Sequence, residues 1–410
     1  MSEFKMELSG DVEFILDRMK SSGYEAYVVG GSVRDSLIGR ELGDCDITTN
    51  ALPAETKSVF ADHRTVDTGI KHGTVTLVLG GIPYEITTYR VDGDYKDNRH
   101  PESVTFTTRL EDDLSRRDFT VNAMAYNPER GICDPFGGRE DAAARLIRAV
   151  GDPYKRFDED ALRILRALRF AAVLGFEIEE TTARAVREGA HLLSAISKER
   201  IYTELKKLIM GGDATRILTE YSEVIGPLLS GLKIETLPDK ALFANADMCT
   251  RFAALFSLNS DSPAEHSDRA FADLKTDKLT RSNTYAVLSA YYDVDFTTLA
   301  KILTHLYRYG EDTVRAVLSL GILLGRFTDA EERMLNDALS SGTPYSVSML
   351  KVRGGDLASL GLRGESIGRM LEMLLLSVIN GRVENDKTAL VNCAKEMMFS
   401  DEDASPCAVR

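Results

Sequence analysis

No apolar run among the 410 residues approaches the roughly 18 needed to span a bilayer. The longest candidates, Leu318 to Leu324 and Leu371 to Ile379, are short and interrupted. The opening stretch, MSEFKMELSGDVEF, lacks the basic end and apolar core of a secretory signal, so a cytoplasmic protein is expected. Cysteine is scarce. Cys45, Cys133, Cys249, Cys393 and Cys407 are scattered without a C-x-x-C, which offers neither a zinc site nor a disulfide framework and points to reduced thiols. Positive charge is in deficit, at a net −14, which argues against bulk attraction to nucleic acid but leaves room for a local basic stripe. No Gly-Lys-Ser/Thr occurs in GGSVRDS, so the glycine turn there is not a Walker A loop. What is present is ordinary: 43% hydrophobic and 28% charged residues describe a globular chain, long enough for two to four domains of about 100 to 200 residues each.

The stretch Tyr27 to Thr49 carries the densest chemistry. Tyr27-Val28-Val29 reads as a strand, Gly30-Gly31 as a tight turn, and Ser32 as the cap of a short helix. After a loop ending at Gly43, a second strand is predicted from Asp44, with Asp44 and Asp46 on one face. Two adjacent carboxylates repel unless one is protonated or a cation lies between them, and Mg²⁺ suits hard oxygen ligands together with a substrate phosphate. An acidic pair at a strand end also fits a solvated turn. The glycine turn shifts the balance, because free backbone N–H groups at a helix N-terminus suit phosphate. Arg34 offers a guanidinium fork for phosphate or an ion pair with Asp35.

Downstream, residues 11–21 and 53–60 read as helices, and alternating strands begin at Val66. HGTVTLVLGG and PYEITTYRV form a hairpin joined at Gly80 to Pro83. Glu85 alternates with Thr87, and periodicity leaves two readings open: a third carboxylate facing Asp44 and Asp46, or a solvent-facing side chain on an edge strand. DGDYKDNRHP, residues 92–101, is a surface excursion or a mobile functional loop. In RRDFTVNAMAY, the guanidiniums of Arg116 and Arg117 suit a triphosphate and Asp118 suits ribose hydroxyls, with Asn122 orienting them; a charged helix start capped by Asp118 is the plainer reading. Gly137-Gly138 marks a turn and possible hinge. Beyond Ile147 the chain turns helical. Asp160 and Arg163 are three apart and are predicted to share a helix face. They read as a surface ion pair or as one edge that accepts from an amino group and donates to a ring nitrogen, a pattern shared by cytosine and adenine but not by uracil or guanine. Arg166 and Arg169 extend that basic face. Helices continue to the end, with loops near Pro227, Pro238, residues 260–263 and residues 342–345. No Leu-His-Asp setting appears among them, so a fused metal-dependent phosphohydrolase is not expected. The last residues, SDEDASPCAVR, have a disordered composition.

Taken together, GGSVRDSLIGRELGDCDITT, the E-x-T-T-x-R strand at Glu85, RRDFT-x-NA, DPFGGREDA, E-D-x-x-R over Glu159 to Arg163 and SAISKERIYTELKKLIMGG resemble the tRNA nucleotidyltransferase and poly(A) polymerase family, class II branch. The C-terminal GGDLASLG and the I-G-x-x-L helix are similar to family tails, departing from the common G-P-x-I-G turn at Arg363 to Ser366. The resemblance implies an α+β protein. A nucleotidyltransferase catalytic domain, a small β-sheet flanked by helices, would fill residues 1–149, followed by an all-helical neck for base recognition (150–212), a body (213–330) and a tail that binds tRNA (331–410).

It further implies addition of CCA to the 3′ end of tRNA from CTP and ATP with release of pyrophosphate, on two Mg²⁺ held by Asp44, Asp46 and Glu85. The nucleotide would meet Gly30, Gly31, Ser32, Arg34, Arg116, Arg117, Asp118, Asn122, Asp160, Arg163, Arg166 and Arg169, with Glu199, Arg200 and Glu204 holding the nucleotide-reading helix in place. A flexible loop with Asp94, Tyr95 and Arg99 would help the switch from C to A, which favours complete CCA addition. tRNA would be held by shape and phosphate contacts, with no membrane and no obligate protein partner. The rivals are a bacterial poly(A) polymerase, disfavoured by the acidic charge, the loop and the lack of a long basic tail; a CC-only or A-only enzyme; and an RNA-binding protein with a dead catalytic domain.

Overall fold

The computed structural model describes residues 4–93 and 104–402. Asp94, Tyr95 and Arg99, expected in a flexible loop, lie outside the described residues, as does the end from 403. The chain forms two compact units, divided between Leu228 and Leu229.

The first unit opens on α1 (Gly10–Ser21), whose start is capped by Ser9 accepting from the Val12 N–H. Val12, Ile15, Leu16 and Met19 recur at helical spacing and are all buried. Next come β1 (Ala26–Val29), α2 (Gly31–Leu37), β2 (Asp46–Thr49), α3 (Pro53–Val59), β3 (Arg64–Gly69), β4 (Thr74–Leu79) and β5 (Ile82–Thr88). A short pair, β6 (Arg90–Asp92) with β7 (Val104–Phe106), precedes α4 (Leu110–Ser115), β8 (Ala125–Asn127) and β9 (Gly131–Cys133). The main sheet has seven strands in the order β3-β4-β5-β2-β1-β8-β9. It is mixed, since β2 runs parallel to β5 while the other neighbours are antiparallel. A parallel pair needs a crossover, and α3 with the β3–β4 hairpin supplies it.

Side-chain alternation sorts the sheet into two faces. Val28, Ile47, Leu77 and Ile86 join the α1 residues in one core, while Tyr27, Val29 and Ala125 pack with Tyr89, Leu110 and Leu114 on the other side. Gly30 has φ +80° and forms the N-cap of α2, a conformation that side chains rarely adopt. The expected Ser32 cap is therefore displaced two residues upstream. Ser32 sits inside the helix, and its hydroxyl donates to the Asp44 carbonyl at 3.0 Å.

α5 (Gly138–Ala144) starts where a Cβ on Gly138 would lie 2.2 Å from the Thr120 carbonyl oxygen, so only glycine fits. A two-residue parallel pairing, β10 (Leu146–Ile147) with β11 (Glu177–Ile178), ties the sheet region to the helices that follow. These are α6 (Pro153–Glu159), α7 (Leu162–Leu174), α8 (Glu180–Glu188), α9 (Lys198–Ile209) and α10 (Ala214–Glu220). α7 is almost wholly buried and packs along α9, with Leu165 and Leu168 buried on one helix and Ile201 and Leu205 on the other.

The second unit is helical, from Lys240–Asn245 to Lys387–Glu402. Asp239, Asp247, Asp277, Thr298 and Thr328 cap its helices through side-chain oxygens. Edge-to-face aromatic pairs, Phe252–Phe271 and Phe296–Phe327, each with centroids 5.0 Å apart, mark its core. At the divergent tail turn, Gly364 (φ +57°) precedes the Glu365–Ile379 helix, and the Ser366 hydroxyl accepts from the Arg363 N–H. Among the described residues no helix is long and apolar enough to cross a membrane, and Cys45, Cys133, Cys249 and Cys393 are free thiols.

Candidate active site

The acidic edge is built by strand register. Ile47 of β2 pairs with Ile86 of β5, so the preceding residues, Asp46 and Glu85, continue that line on the face opposite the isoleucines. β5 lies between β4 and β2, which removes the edge-strand reading of Glu85. Asp44 is exposed and precedes β2, which begins only at Asp46. Asp46 is open to solvent yet has protein on several sides; partial desolvation, then the Glu85 carboxylate and more weakly Asp44 push its carboxyl above the usual range, while Arg117 pulls it down. Two like charges thus act on Asp46 here. Among the described residues no group of three His, Cys, Asp or Glu side chains is drawn together tightly enough to hold a metal ion.

Next to this edge stands Asp113 on α4, a residue that the motif reading passed over. It is fully buried. Its carboxylate accepts from Arg116 Nε at 3.0 Å and Nη2 at 2.7 Å, and more weakly from Arg117 Nη2, Thr48 Oγ1 and the Arg90 N–H. Burial opposes its ionisation, but the two arginines prevail and hold its carboxyl below the ordinary value. The signal was in the sequence: a carboxylate three and four residues before two arginines on one helical turn can brace both. Arg117 approaches the glycine turn, its Nη1 lying 3.1 Å from where a Gly30 Cβ would be, and its buried Nε has no hydrogen-bond partner.

Asp118 is the centre of a polar chain. It accepts from Arg166 Nε at 2.7 Å and Nη2 at 2.5 Å, from Asn122 Nδ2 at 3.2 Å, and from the Phe119 N–H at 2.9 Å. Burial alone would raise its pKa, but the Arg166 guanidinium outweighs burial and lowers it to about 2. Asn122 in turn accepts from Arg34 Nη1, whose other nitrogens donate to Asp35 at 2.9 and 3.0 Å. Arg34 is buried in these contacts, the ion-pair alternative, rather than held out as a free fork. Phe170 anchors the assembly: the guanidinium carbons of Arg34, Arg166 and Arg169 lie 5.3, 5.3 and 3.9 Å from its ring centroid. Arg169 also pairs with Glu204 of α9 at 2.6 Å, the bracing expected of that helix.

The expectation that Asp160 and Arg163 share one helix face is corrected. α6 ends at Glu159, and Asp160 is its C-cap in extended conformation (φ −138°, ψ 101°). Its Oδ1 accepts from the Leu162 N–H at 3.1 Å, where a new helix begins, because an Asp side chain readily replaces the backbone at a helix start. Arg200 Nη2 lies 3.2 Å from Oδ2. Arg163 is buried, pairing with Glu159 at 2.7 Å and donating to the carbonyls of Arg156 (3.1 Å) and Arg116 (2.9 Å). Despite the helix break, Asp160, Arg163, Arg166 and Arg200 line one cavity of about 260 Å³ with Arg116, Arg117 and Asp118.

Residues 26–148 match the family model described as Poly A polymerase head domain, and residues 175–223 match that described as Probable RNA and SrmB- binding site of polymerase A. The CCA-adding enzyme of Limosilactobacillus fermentum is 38% identical, over 94% of this chain and 96% of that protein. The chain belongs to the CCA-adding enzyme family. Over a shorter stretch of 219 residues the chain is 50% identical to the CCA-adding enzyme of Geobacillus stearothermophilus, covering 53% of this chain and 54% of that relative. The crystal structure of the Bacillus stearothermophilus CCA-adding enzyme in complex with CTP superposes with a TM-score of 0.81, at 32% identity, over 97% of this chain and all of that one. The family therefore accounts for the nucleotidyltransferase head joined to a helical remainder.

Proposed function

We propose that this nucleotidyltransferase adds CCA to the 3′ end of tRNA from CTP and ATP, releasing pyrophosphate at each step, in the cytoplasm. The observation that carries this reading is the shared cavity. Residues suited to a triphosphate, Arg116 and Arg117, and residues suited to a base edge, Asp160 and Arg163, line one space of about 260 Å³, and Arg117 also bears electrostatically on Asp46.

Arg116 and Arg117, braced by Asp113, receive the triphosphate, and the free Arg117 Nε gains an acceptor when phosphate arrives. Asp118, kept ionised by Arg166, accepts from ribose hydroxyls. Asp160 accepts from the exocyclic amino group and Arg163 donates to the neighbouring ring nitrogen. Uracil or guanine places a carbonyl and a ring N–H there, and each buried mismatch costs about 1 to 3 kcal/mol. Asp44, Asp46 and Glu85 suit Mg²⁺ by donor type, and the mutual repulsion felt at Asp46 is what a cation relieves. Asp44, Asp46 and Glu85 would hold the metal, whose charge would lower the pKa of the attacking hydroxyl and stabilise the leaving oxygens.

The test is end extension of a tRNA lacking its last three nucleotides. Addition of C, C and A followed by arrest is expected. An open-ended run of A would make the protein a poly(A) polymerase, and addition of only CC or only A would divide the labour with another enzyme.

A further inference from the structure

Arg200 lines the cavity but has no part in the base-reading scheme. Arg200, on α9, reaches across to α7's start and meets Asp160 with Nη2 3.2 Å from Oδ2 and 3.5 Å from Oδ1. The other tie on that carboxylate is the Leu162 N–H. Asp160 is a C-cap in extended backbone and not a residue locked into a helix, so its side-chain orientation depends on these two ties. A carboxylate has about four acceptor positions. With two occupied by fixed donors, the remaining ones are aimed; with one donor gone, the group can rotate about its last torsion. Arg200 holds a second asset. Its Nη1 is buried without a partner while the side chain lines the cavity, and a buried donor without an acceptor is unfavourable until a ligand supplies one.

We infer that Arg200 is a specificity-determining residue of base selection: it fixes the Asp160 carboxylate as an oriented acceptor, so that amino-bearing bases pair and carbonyl-bearing bases are refused. The inference rests on the assignment of Asp160 as a base reader. Rejection of uracil and guanine requires an acceptor that cannot turn aside; a carboxylate free to rotate can withdraw from their carbonyl oxygen and relieve the clash that excludes them.

The experiment is single-turnover incorporation of CTP, ATP, UTP and GTP into tRNA ends by the full chain and by Arg200→Leu, Arg200→Lys and Asp160→Ala, each checked by far-UV circular dichroism. Arg200→Leu is expected to raise UTP relative to CTP incorporation about tenfold, the scale of one charge-assisted hydrogen bond. Arg200→Lys, which keeps a cationic donor, should restore most of the discrimination. Should Arg200→Leu fail to fold, Arg200→Gln, which retains bulk and polarity without charge, is expected to shift the ratio in the same direction. Equal loss of rate with all four nucleotides and an unchanged ratio would make Arg200 a brace for α7 and overturn the inference. If Asp160→Ala also leaves the ratio unchanged, the base-reading assignment itself fails; if Asp160→Ala shifts it and Arg200→Leu does not, only the role of Arg200 falls.

Discussion

Replacing Arg166 by Leu tests the polar chain that joins the sheet region to α7. Asp118 is 8% exposed, and its carboxyl is lowered from 3.8 to about 2 against the penalty of burial, chiefly by Arg166. At about 1.4 kcal/mol per pH unit, that displacement stabilises the folded state by roughly 2 kcal/mol at neutral pH. Removing the guanidinium leaves a buried anion with only Asn122 and the Phe119 N–H as donors, and stripping one partner from such a pair costs about 3 to 5 kcal/mol. The remaining donors place the expected loss near the lower end of that range, about 3 kcal/mol. The sign with pH follows. A carboxyl depressed in the folded state contributes above its unfolded value and loses that contribution as pH falls from about 4 towards 2. The chain has no tryptophan, so urea unfolding is followed by far-UV circular dichroism at pH 7 and at pH 3, on wild type, Arg166→Leu, Asp118→Asn and the double variant. The gap between wild type and Arg166→Leu should narrow at pH 3, and the cycle should return a coupling of about 2 kcal/mol. A loss below about 1 kcal/mol at pH 7, or a gap independent of pH, would refute the account.

Further outcomes follow from the site. Asp44→Ala and Asp46→Ala should each cut incorporation by about a hundredfold or more, the scale of several kcal/mol of transition-state stabilisation, with unchanged circular dichroism; full activity in either would end the metal assignment, as would full activity in excess chelator. Asp160→Ala should reduce discrimination between CTP and UTP about tenfold to a hundredfold in steady-state kcat/KM. Gly138→Ala places a methyl 2.2 Å from the Thr120 carbonyl oxygen and 2.8 Å from Met124 Cγ, and should destabilise by about 1 to 3 kcal/mol in thermal unfolding; a native midpoint would contradict the packing there.

Local signals in the sequence carried the glycine turn, the hairpin at Gly80-Gly81 and the helical register of α1, because each depends on a few neighbouring residues. Alternation also placed Asp46 opposite the buried Ile47. It could not place Glu85, since whether a strand is central or at an edge is decided by pairing with segments far along the chain. The helix break at Asp160 escaped for a different reason. Leu162, Ile164, Leu165 and Leu168 keep helical spacing on one side, and Asp160 interrupts it through a hydrogen bond to Leu162 that periodicity does not register. Arg34 is legible as a phosphate fork or an Asp35 ion pair, and Asp113 is passed over, but the burial of neither is legible. Their burial follows from partners in other segments, Asn122 for one and Thr48 and the Arg90 N–H for the other.

The parallel pairing of β2 with β5 within the seven-stranded sheet bears on how the protein matures during synthesis. β2 leaves the ribosome with its acidic residues before α3, β3 and β4 have been made, and it can gain its β5 neighbour only after that whole excursion has closed. β1 likewise waits for β8, which follows after α4. A nascent chain halted between Thr49 and Ile82 therefore carries the D-x-D on an unfinished border, without the β5 strand that bears Glu85.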